Sequence, residues 1–501
     1  MIRVKVFSPS TDQVRIVKEV LRIYFPRLKE IDTTNFLISS NYFSGTVKAD
    51  KKINLYLEKQ TSPLVIKVKL EMDDQVFFHE EVAKPPFFSE EETNRARRLL
   101  RLALQQIFSL AKIIKPSPWG ILTGVRPLKI VQRFMDDGIT PENILNHLIK
   151  DYALEERKAK LLLEIAYRQR PFLPKEKRNL VSLYLGIPFC PTRCYYCSFP
   201  SFSLDRWGYL LADYLQALEK EIIGLSQVLQ EKEIKVQTVY LGGGTPTILS
   251  AGQLAKLLTV VQDNFAFVPD RELTVEGGRP ETLTREKLEV LKAHQVTRLS
   301  INPQTMQAVT LERIGRKHSC EDIITAYHLA REFGFPVINM DLIIGLPGEK
   351  RVDLDKTLNE ILALRPENIT VHALALKRAA YYRQEKIDLV LPAEGQAMLD
   401  LAHTRLAKAG YLPYYLYRQK EIFAHGENVG YSLPGKICFY NLLMMEERQT
   451  ILGCGVGASS KFVDLETNFL ESIYNPKDIL FYLQRVDELL QRKVDNLQTV
   501  L

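Results

Sequence analysis

From residue 180 to about residue 390 the chain repeats one pattern: a short apolar run, a loop, then a longer helical stretch. Apolar runs at 181–187, 238–241, 273–276, 298–301, 337–344 and 368–374 read as strands, and 209–229 and 254–265 read as helices between them. Strands that alternate with helices pair in parallel, because each return to the sheet needs a crossover. About six such units predict an α/β fold with a partial or full (β/α) barrel, whose chemistry lies at the C-terminal ends of its strands.

The flanks read differently. Residues 53–58 and 65–70 alternate apolar and polar around Gln60-Thr61-Ser62-Pro63, the mark of a hairpin, and Leu99, Leu100, Leu104, Ile107 and Phe108 recur at helical spacing before Pro116. Residues 1–175 are therefore expected to form an α+β domain, for which the sequence suggests no role. The polar stretch 168–178, with Pro171 and Pro174, marks its boundary. The barrel is assigned to 180–390. The Tyr- and Gly-rich remainder, 391–501, is expected to be a small accessory domain or lid.

Composition narrows the class. With 46% hydrophobic and 25% charged residues the 501-residue chain is neither disordered nor collagenous. No apolar run approaches the roughly 18 residues of a membrane span, and Ile2-Arg3-Val4-Lys5-Val6 lacks the core of an export signal. A cytoplasmic protein is expected. Residues 1–180 carry 32 Lys+Arg against 22 Asp+Glu, or +10, and the rest carries −3, which together give the overall +7. The basic residues are interleaved with Glu and apolar positions, as on solvated helix faces, so nucleic acid is not the expected partner.

Half of the six cysteines fall within eight positions, in Tyr184-Leu185-Gly186-Ile187-Pro188-Phe189-Cys190-Pro191-Thr192-Arg193-Cys194-Tyr195-Tyr196-Cys197. Cys-x3-Cys-x2-Cys at the exit of a strand can ligate three irons of a [4Fe–4S] cluster and leave the fourth open. The alternative is structural zinc, which takes four ligands, and no nearby Cys or His supplies the last. Cys320, Cys438 and Cys454 read as small buried hydrophobes. Gly242-Gly243-Gly244-Thr245-Pro246-Thr247 follows the second strand, where missing Cβ atoms either admit a ligand to the backbone or let strand and helix pack. Gly430-Tyr431-Ser432-Leu433-Pro434-Gly435-Lys436 fails as a phosphate loop because Ile437 follows, and Gly453-Cys454-Gly455-Val456-Gly457 reads as a packing turn. Glu276 and Asp341 are expected near ligand-facing strand ends, or else as ion pairs closing the barrel. His372, on the last strand, reads as a proton donor or tetrapyrrole contact, or as a core histidine.

The thiol motif followed by the Gly-Gly-Gly-Thr-Pro-Thr turn resembles the radical S-adenosylmethionine (SAM) superfamily. Ile187-Pro188-Phe189-Cys190, Arg298-Leu299-Ser300-Ile301-Asn302-Pro303-Gln304 and Asn339-Met340-Asp341-Leu342-Ile343-Ile344-Gly345-Leu346-Pro347-Gly348 resemble, within it, the oxygen-independent coproporphyrinogen III oxidase family and its HemZ-like branch. The resemblance implies that Cys190, Cys194 and Cys197 ligate the cluster and that its open iron chelates SAM. It implies that Gly243, Gly244 and Thr245 cradle the methionine moiety, with Tyr184, Tyr196, Glu276, Gln304, Arg316 and Asp341 as further cofactor contacts. The reaction implied is oxidative decarboxylation of two propionates of coproporphyrinogen III, begun by a 5′-deoxyadenosyl radical and fed by an electron donor such as flavodoxin or ferredoxin. Arg193, Arg279 and Arg316 are the candidate grips for the substrate carboxylates.

The chain departs from the best-known oxidases at three places. Gly186 stands for a His, Phe199 for a fourth cysteine, and Gly277-Gly278 for Asp-Pro. Two rival readings follow, a haem chaperone of the same family and a radical SAM enzyme acting on RNA.

Overall fold

A computed structural model describes residues 2–8, 10–25, 28–32, 34–38, 52–85, 89–174, 179–375, 392–419, 422–465 and 469–500. The expected boundaries near 175–178 and 390 lie outside the described residues. The chain divides into two compact units, one of residues 1–167 with 418–421 and one of 168–417 with 422–501.

The first unit holds a six-stranded sheet in the order β2-β3-β1-β4-β5-β6, from strands Ile2–Phe7 (β1), Lys29–Glu30 (β2), Asn35–Ile38 (β3), Lys52–Thr61 (β4), Leu64–Met72 (β5) and Gln75–Val82 (β6). The expected hairpin is β4 and β5, antiparallel from Ile53↔Met72 to Thr61↔Leu64. Alternation along β4 turns Ile53, Leu55 and Leu57 to one face. There they meet Val14, Val17 and Leu21 of helix Thr11–Tyr24 and Leu100, Leu104 and Ile107 of helix Glu92–Leu110. This is the α+β arrangement the sequence predicts.

The second unit is built on the strands Leu180–Ile187 (β7), Phe189–Cys190 (β8), Phe202–Ser203 (β9), Lys235–Gly243 (β10), Phe267–Glu276 (β11), Arg298–Ser300 (β12), Val337–Ile344 (β13) and Asn368–Ala373 (β14). Six of these run parallel in the order β7-β10-β11-β12-β13-β14. Helices Leu211–Glu231, Ala251–Asn264, Arg285–Ala293, Cys320–Glu332 and Arg351–Leu364 make the five crossovers. Their starts are fixed locally: Ser250 with Gln253 and Ser319 with Asp322 form capping boxes, and the Thr284 hydroxyl accepts from Lys287 N. Leu254, Leu257, Leu258 and Val261 show the apolar face that such a helix buries.

The C-terminal sequence adds to this sheet and belongs to the same unit, which differs from the separate accessory domain expected for 391–501. Leu412–Tyr417 (β15) and Asn428–Ser432 (β16) extend it antiparallel beyond β14. At the other end Ile451–Cys454 (β17) pairs in parallel with β7, and Ser459–Asp464 (β18) and Phe469–Tyr474 (β19) follow it. Among the described residues the sheet therefore has eleven strands and ends at β15 and β19. The open edges of the parallel strands are what the tail covers. Helix Ile479–Val500 packs on Leu211–Glu231 and places Lys493, fully buried, against Glu221, also fully buried. Glu221 further accepts from Gly455 N, Tyr482 Oη and Asn475 Nδ2 at 2.7–3.0 Å. The carboxylate is fully satisfied, as a charge in the interior must be.

Short helix Phe439–Glu446 sits near the middle of the barrel strands. Its first amides, Phe439 N and Tyr440 N, donate to the Glu272 carboxylate at 2.9 and 3.0 Å, a negative charge at the helix start. Tyr440 stacks on Tyr240, with ring centroids 4.5 Å apart, and both rings neighbour Tyr184. Aromatic residues thus fill the barrel beneath its strand ends.

Candidate active site

The thiol loop begins where β7 ends. Cys190 lies in β8, which pairs with β9, so the chain between them is pinned at both ends. The loop is then zipped to the glycine turn after β10. Gly244 N donates to Ile187 O at 2.7 Å, Thr245 N to Phe189 O at 2.8 Å, and Thr245 Oγ1 to Cys190 Sγ at 3.4 Å. Gly243 adopts φ +108°, a backbone region that favours glycine. A Cβ on Gly244 would lie 2.5 Å from Phe189 O and 3.0 Å from Cys190 Sγ. Glycine is thus required at 244 so that strand and loop can meet.

Cys190 and Cys194 are buried and Cys197 is half-buried. Burial pushes the Cys190 thiol up, and burial with repulsion from Cys194 pushes Cys197 up to about 11. Burial acts on Cys194 the same way, but the Arg316 and Arg279 guanidiniums beside it prevail and hold it below the ordinary thiol range. Arg279 Nη2 donates to Cys194 Sγ at 3.1 Å and to Thr192 O at 2.9 Å. Arg316 donates to Tyr196 Oη at 3.5 Å and to Asn302 O. Both arginines are buried beside the thiol loop, whereas Arg193 is exposed. Among the described residues no group of three His, Cys, Asp or Glu side chains is placed to hold a single metal ion.

A second constellation occupies the strand ends. Glu276, the last residue of β11, accepts from Tyr240 Oη at 2.6 Å. Burial, reinforced by the Asp341 carboxylate, lifts its pKa to about 7 despite that bond. Burial also works to raise Asp341, but hydrogen bonds from His372, Asn339 and Thr370 hold it below its usual value. His372 Nε2 lies 3.7 Å from Asp341 Oδ2, and Asn339 Nδ2 donates to Asp341 Oδ1 at 2.8 Å. Gln304, in the left-handed region at φ +68°, donates its backbone N–H to Asp341 O at 2.8 Å. A non-glycine residue held there is strained, a condition that clusters at functional sites.

The residues picked out from the sequence thus fall into two groups. Cys190, Cys194, Cys197, Gly243, Gly244, Thr245, Tyr196 and Arg316 surround the thiol loop, and Glu276, Asp341 and Gln304 lie at neighbouring strand ends. Tyr184 is half-buried among the tyrosines below, with its hydroxyl 3.4 Å from where a Gly243 Cβ would stand. Tyr240, Asn339 and Tyr417 were not singled out. The signal for the first two was available: Tyr240 shares a strand face with Gly242, and Asn339 shares one with Asp341.

The radical SAM superfamily model matches residues 184–361. The oxygen-independent coproporphyrinogen-III oxidase-like protein HemZ of Bacillus subtilis is 42% identical over 387 residues, 76% of this chain and 77% of that protein. The chain belongs to the radical SAM family of HemZ and HemN. The haem chaperone HemW of Bacillus subtilis is 38% identical over 220 residues, 43% of this chain and 56% of HemW. The structure of coproporphyrinogen III oxidase HemN from Escherichia coli, a radical SAM enzyme, matches with a TM-score of 0.51 and 26% identity, covering 64% of this chain and 72% of HemN. As a radical SAM protein the chain takes a [4Fe–4S] cluster and SAM as cofactors. Its own residues suit them: beside three grouped thiols, Gln304 Oε1 and Arg316 Nε are buried without a hydrogen-bond partner among the described residues. Among the described residues no helix is long and apolar enough to cross a membrane.

Proposed function

We propose that the chain catalyses the anaerobic oxidative decarboxylation of coproporphyrinogen III to protoporphyrinogen IX. The observation that carries this reading is the extent of the match to HemZ, which at 387 residues is longer than the barrel unit and so reaches into the N-terminal unit. Cys190, Cys194 and Cys197 would hold the cluster, and Gly243, Gly244 and Thr245, the last two tied by their amides to the strand and loop that carry Cys190, would cradle the methionine part of SAM. Tyr184, Tyr196, Glu276, Gln304, Arg316 and Asp341 would complete its binding. When bound, cluster and SAM supply one-electron cleavage of the sulfonium and hydrogen abstraction from a propionate.

The chain's own part is placement and exclusion. The tyrosines under Glu276 close the barrel from below, which keeps water from the strand ends. Arg316, bonded to Asn302 O and Tyr196, offers its unpartnered Nε to an anionic group such as a carboxylate. Glu276, near neutrality, can hold or release a proton toward a bound amine or hydroxyl. His372, half-buried and bonded to Tyr417, would meet the substrate on the open side. An acidic, low-potential electron carrier of the flavodoxin or ferredoxin type would reduce the cluster.

Anaerobic incubation of the reconstituted chain with coproporphyrinogen, SAM and a reductant tests the proposal, with products resolved by mass spectrometry. Stepwise loss of two propionate carboxyls is expected. Tight haem binding with no decarboxylation would instead support the chaperone reading. That reading draws on the HemW match and on two observations. Phe199 is exposed where the resemblance places a fourth cysteine, and Gly186, which stands for a His, leaves only ordinary contact distance, 3.4 and 3.5 Å, between a Cβ there and the carbonyls of Cys454 and Val456.

A further inference from the structure

Arg279 has no role in the resemblance. It directly follows the Gly277-Gly278 that replaces Asp-Pro, and its side chain is only 3% exposed. A guanidinium removed from water to this degree requires partners, and its two ends have different ones. Nη2 reaches Cys194 Sγ at 3.1 Å and Thr192 O at 2.9 Å, while Nη1 faces Glu281 Oε1 at 3.4 Å. Glu281 is itself held from behind by His318, whose Nδ1 lies 2.7 Å from Oε2 and whose side chain is fully buried. The row His318, Glu281, Arg279, Cys194 therefore ends on one sulfur and fixes the direction of the Arg279 fork. Hydrogen bonds to cluster sulfurs and nearby positive charge stabilise the more negative, reduced form of an iron–sulfur cluster and raise its potential.

We propose that Arg279 is a positioning residue that sets the reduction potential of the cluster through its hydrogen bond to Cys194. This rests on the proposal that Cys194 is a cluster ligand. Arg316 shares the sulfur but also bonds Asn302 O at the strand ends, whereas among the described residues the Arg279 side chain has hydrogen bonds only to Thr192, Cys194 and Glu281. Its loss should therefore alter the cluster without altering SAM binding.

The test is a potentiometric titration of the reconstituted full-length chain, followed by electron paramagnetic resonance, which reads the loaded fraction alone. At a fixed ambient potential Arg279→Met should hold about tenfold less cluster in the reduced form, equivalent to about 59 mV for a one-electron couple. Arg279→Lys keeps the charge but loses the fork, and should fall between Met and the native protein. SAM affinity, measured by equilibrium binding to the oxidised protein, should be unchanged in both. An unshifted potential in the loaded Met variant overturns the proposal. Failure of both variants to take up iron also overturns it, in favour of a scaffold role through Thr192. A native chain that assembles no cluster at all would instead sink the ligand assignment.

Discussion

Gly244→Ala isolates the junction on which the site depends. The added methyl would meet Phe189 O at 2.5 Å, Ile187 O at 2.9 Å and Cys190 Sγ at 3.0 Å. Two of these are backbone atoms, so the turn cannot relax by swinging a side chain. To make room it must withdraw from the thiol loop, which sacrifices the bonds Gly244 N to Ile187 O and Thr245 N to Phe189 O. Overpacking typically costs about 1–3 kcal/mol, and each of the two lost backbone bonds adds roughly 1 kcal/mol, so the penalty is about 3–5 kcal/mol. For a unit of this size that lowers the melting temperature by roughly 2 °C per kcal/mol. The same displacement moves Cys190 away from Thr245. Two assays read the variant: thermal unfolding by circular dichroism, and iron bound per chain after anaerobic reconstitution. The control is Gly252→Ala in helix Ala251–Asn264, where a Cβ meets nothing within 4 Å. There the helical preference of alanine should leave stability equal or higher by up to about 1 kcal/mol. Native melting and native iron content in Gly244→Ala would show that the loop and turn are not joined as described.

Glu276 has its pKa raised from the ordinary carboxylate value to about 7, so the folded state gains by holding that proton, and the gain is complete below the unfolded value and is lost as pH rises through about 7. Compared with the native chain, Glu276→Gln should therefore become relatively more stable from pH 5 to pH 8 by up to about 3 kcal/mol, and a pH-independent difference between the two melting curves would refute the assignment. Lys493→Met should cost about 3–5 kcal/mol by stranding the Glu221 carboxylate, and adding Glu221→Gln should restore most of it; a double variant no more stable than the single one would mean the pair is not the cause. Cys194→Ala should abolish the visible absorbance of the cluster and reductive cleavage of SAM while the circular dichroism spectrum is kept, and retained native iron stoichiometry would contradict the ligand assignment.

The barrel was legible because its signal is local. Strand periods and the turn residues between them placed five of the six parallel strands within a few residues, and for 273–276 they found only the apolar end of a strand that begins at Phe267. The site motifs were legible for the same reason, since Cys-x3-Cys-x2-Cys and the glycine turn each lie within one loop. What could not be read depends on partners far away in the chain. Nothing in Ile451-Leu452-Gly453-Cys454 announces that it will pair with residues 182–185. Helix Ile479–Val500 follows a tail marked by its tyrosines and glycines, and its buried Lys493 looks like a solvated one until Glu221 is set beside it. The sequence offers Arg279 as a substrate grip for its nearness to a motif, and its bond to Cys194, 85 positions away in sequence and 3.1 Å away in space, shows only in the structure.

The pairing of β17 with β7 bears on how the protein is made. The strand that leads into the cysteines acquires its outer neighbour only when residues 451–454 emerge, more than 260 positions after residue 187. At roughly 5–20 residues per second, translation leaves that edge without its partner for roughly 13–50 s. Through this interval the nascent chain carries an unpaired strand border next to its three grouped cysteines, and a ribosome stalled before residue 451 would release a polypeptide whose thiol-bearing strand is poised to pair with another copy of itself.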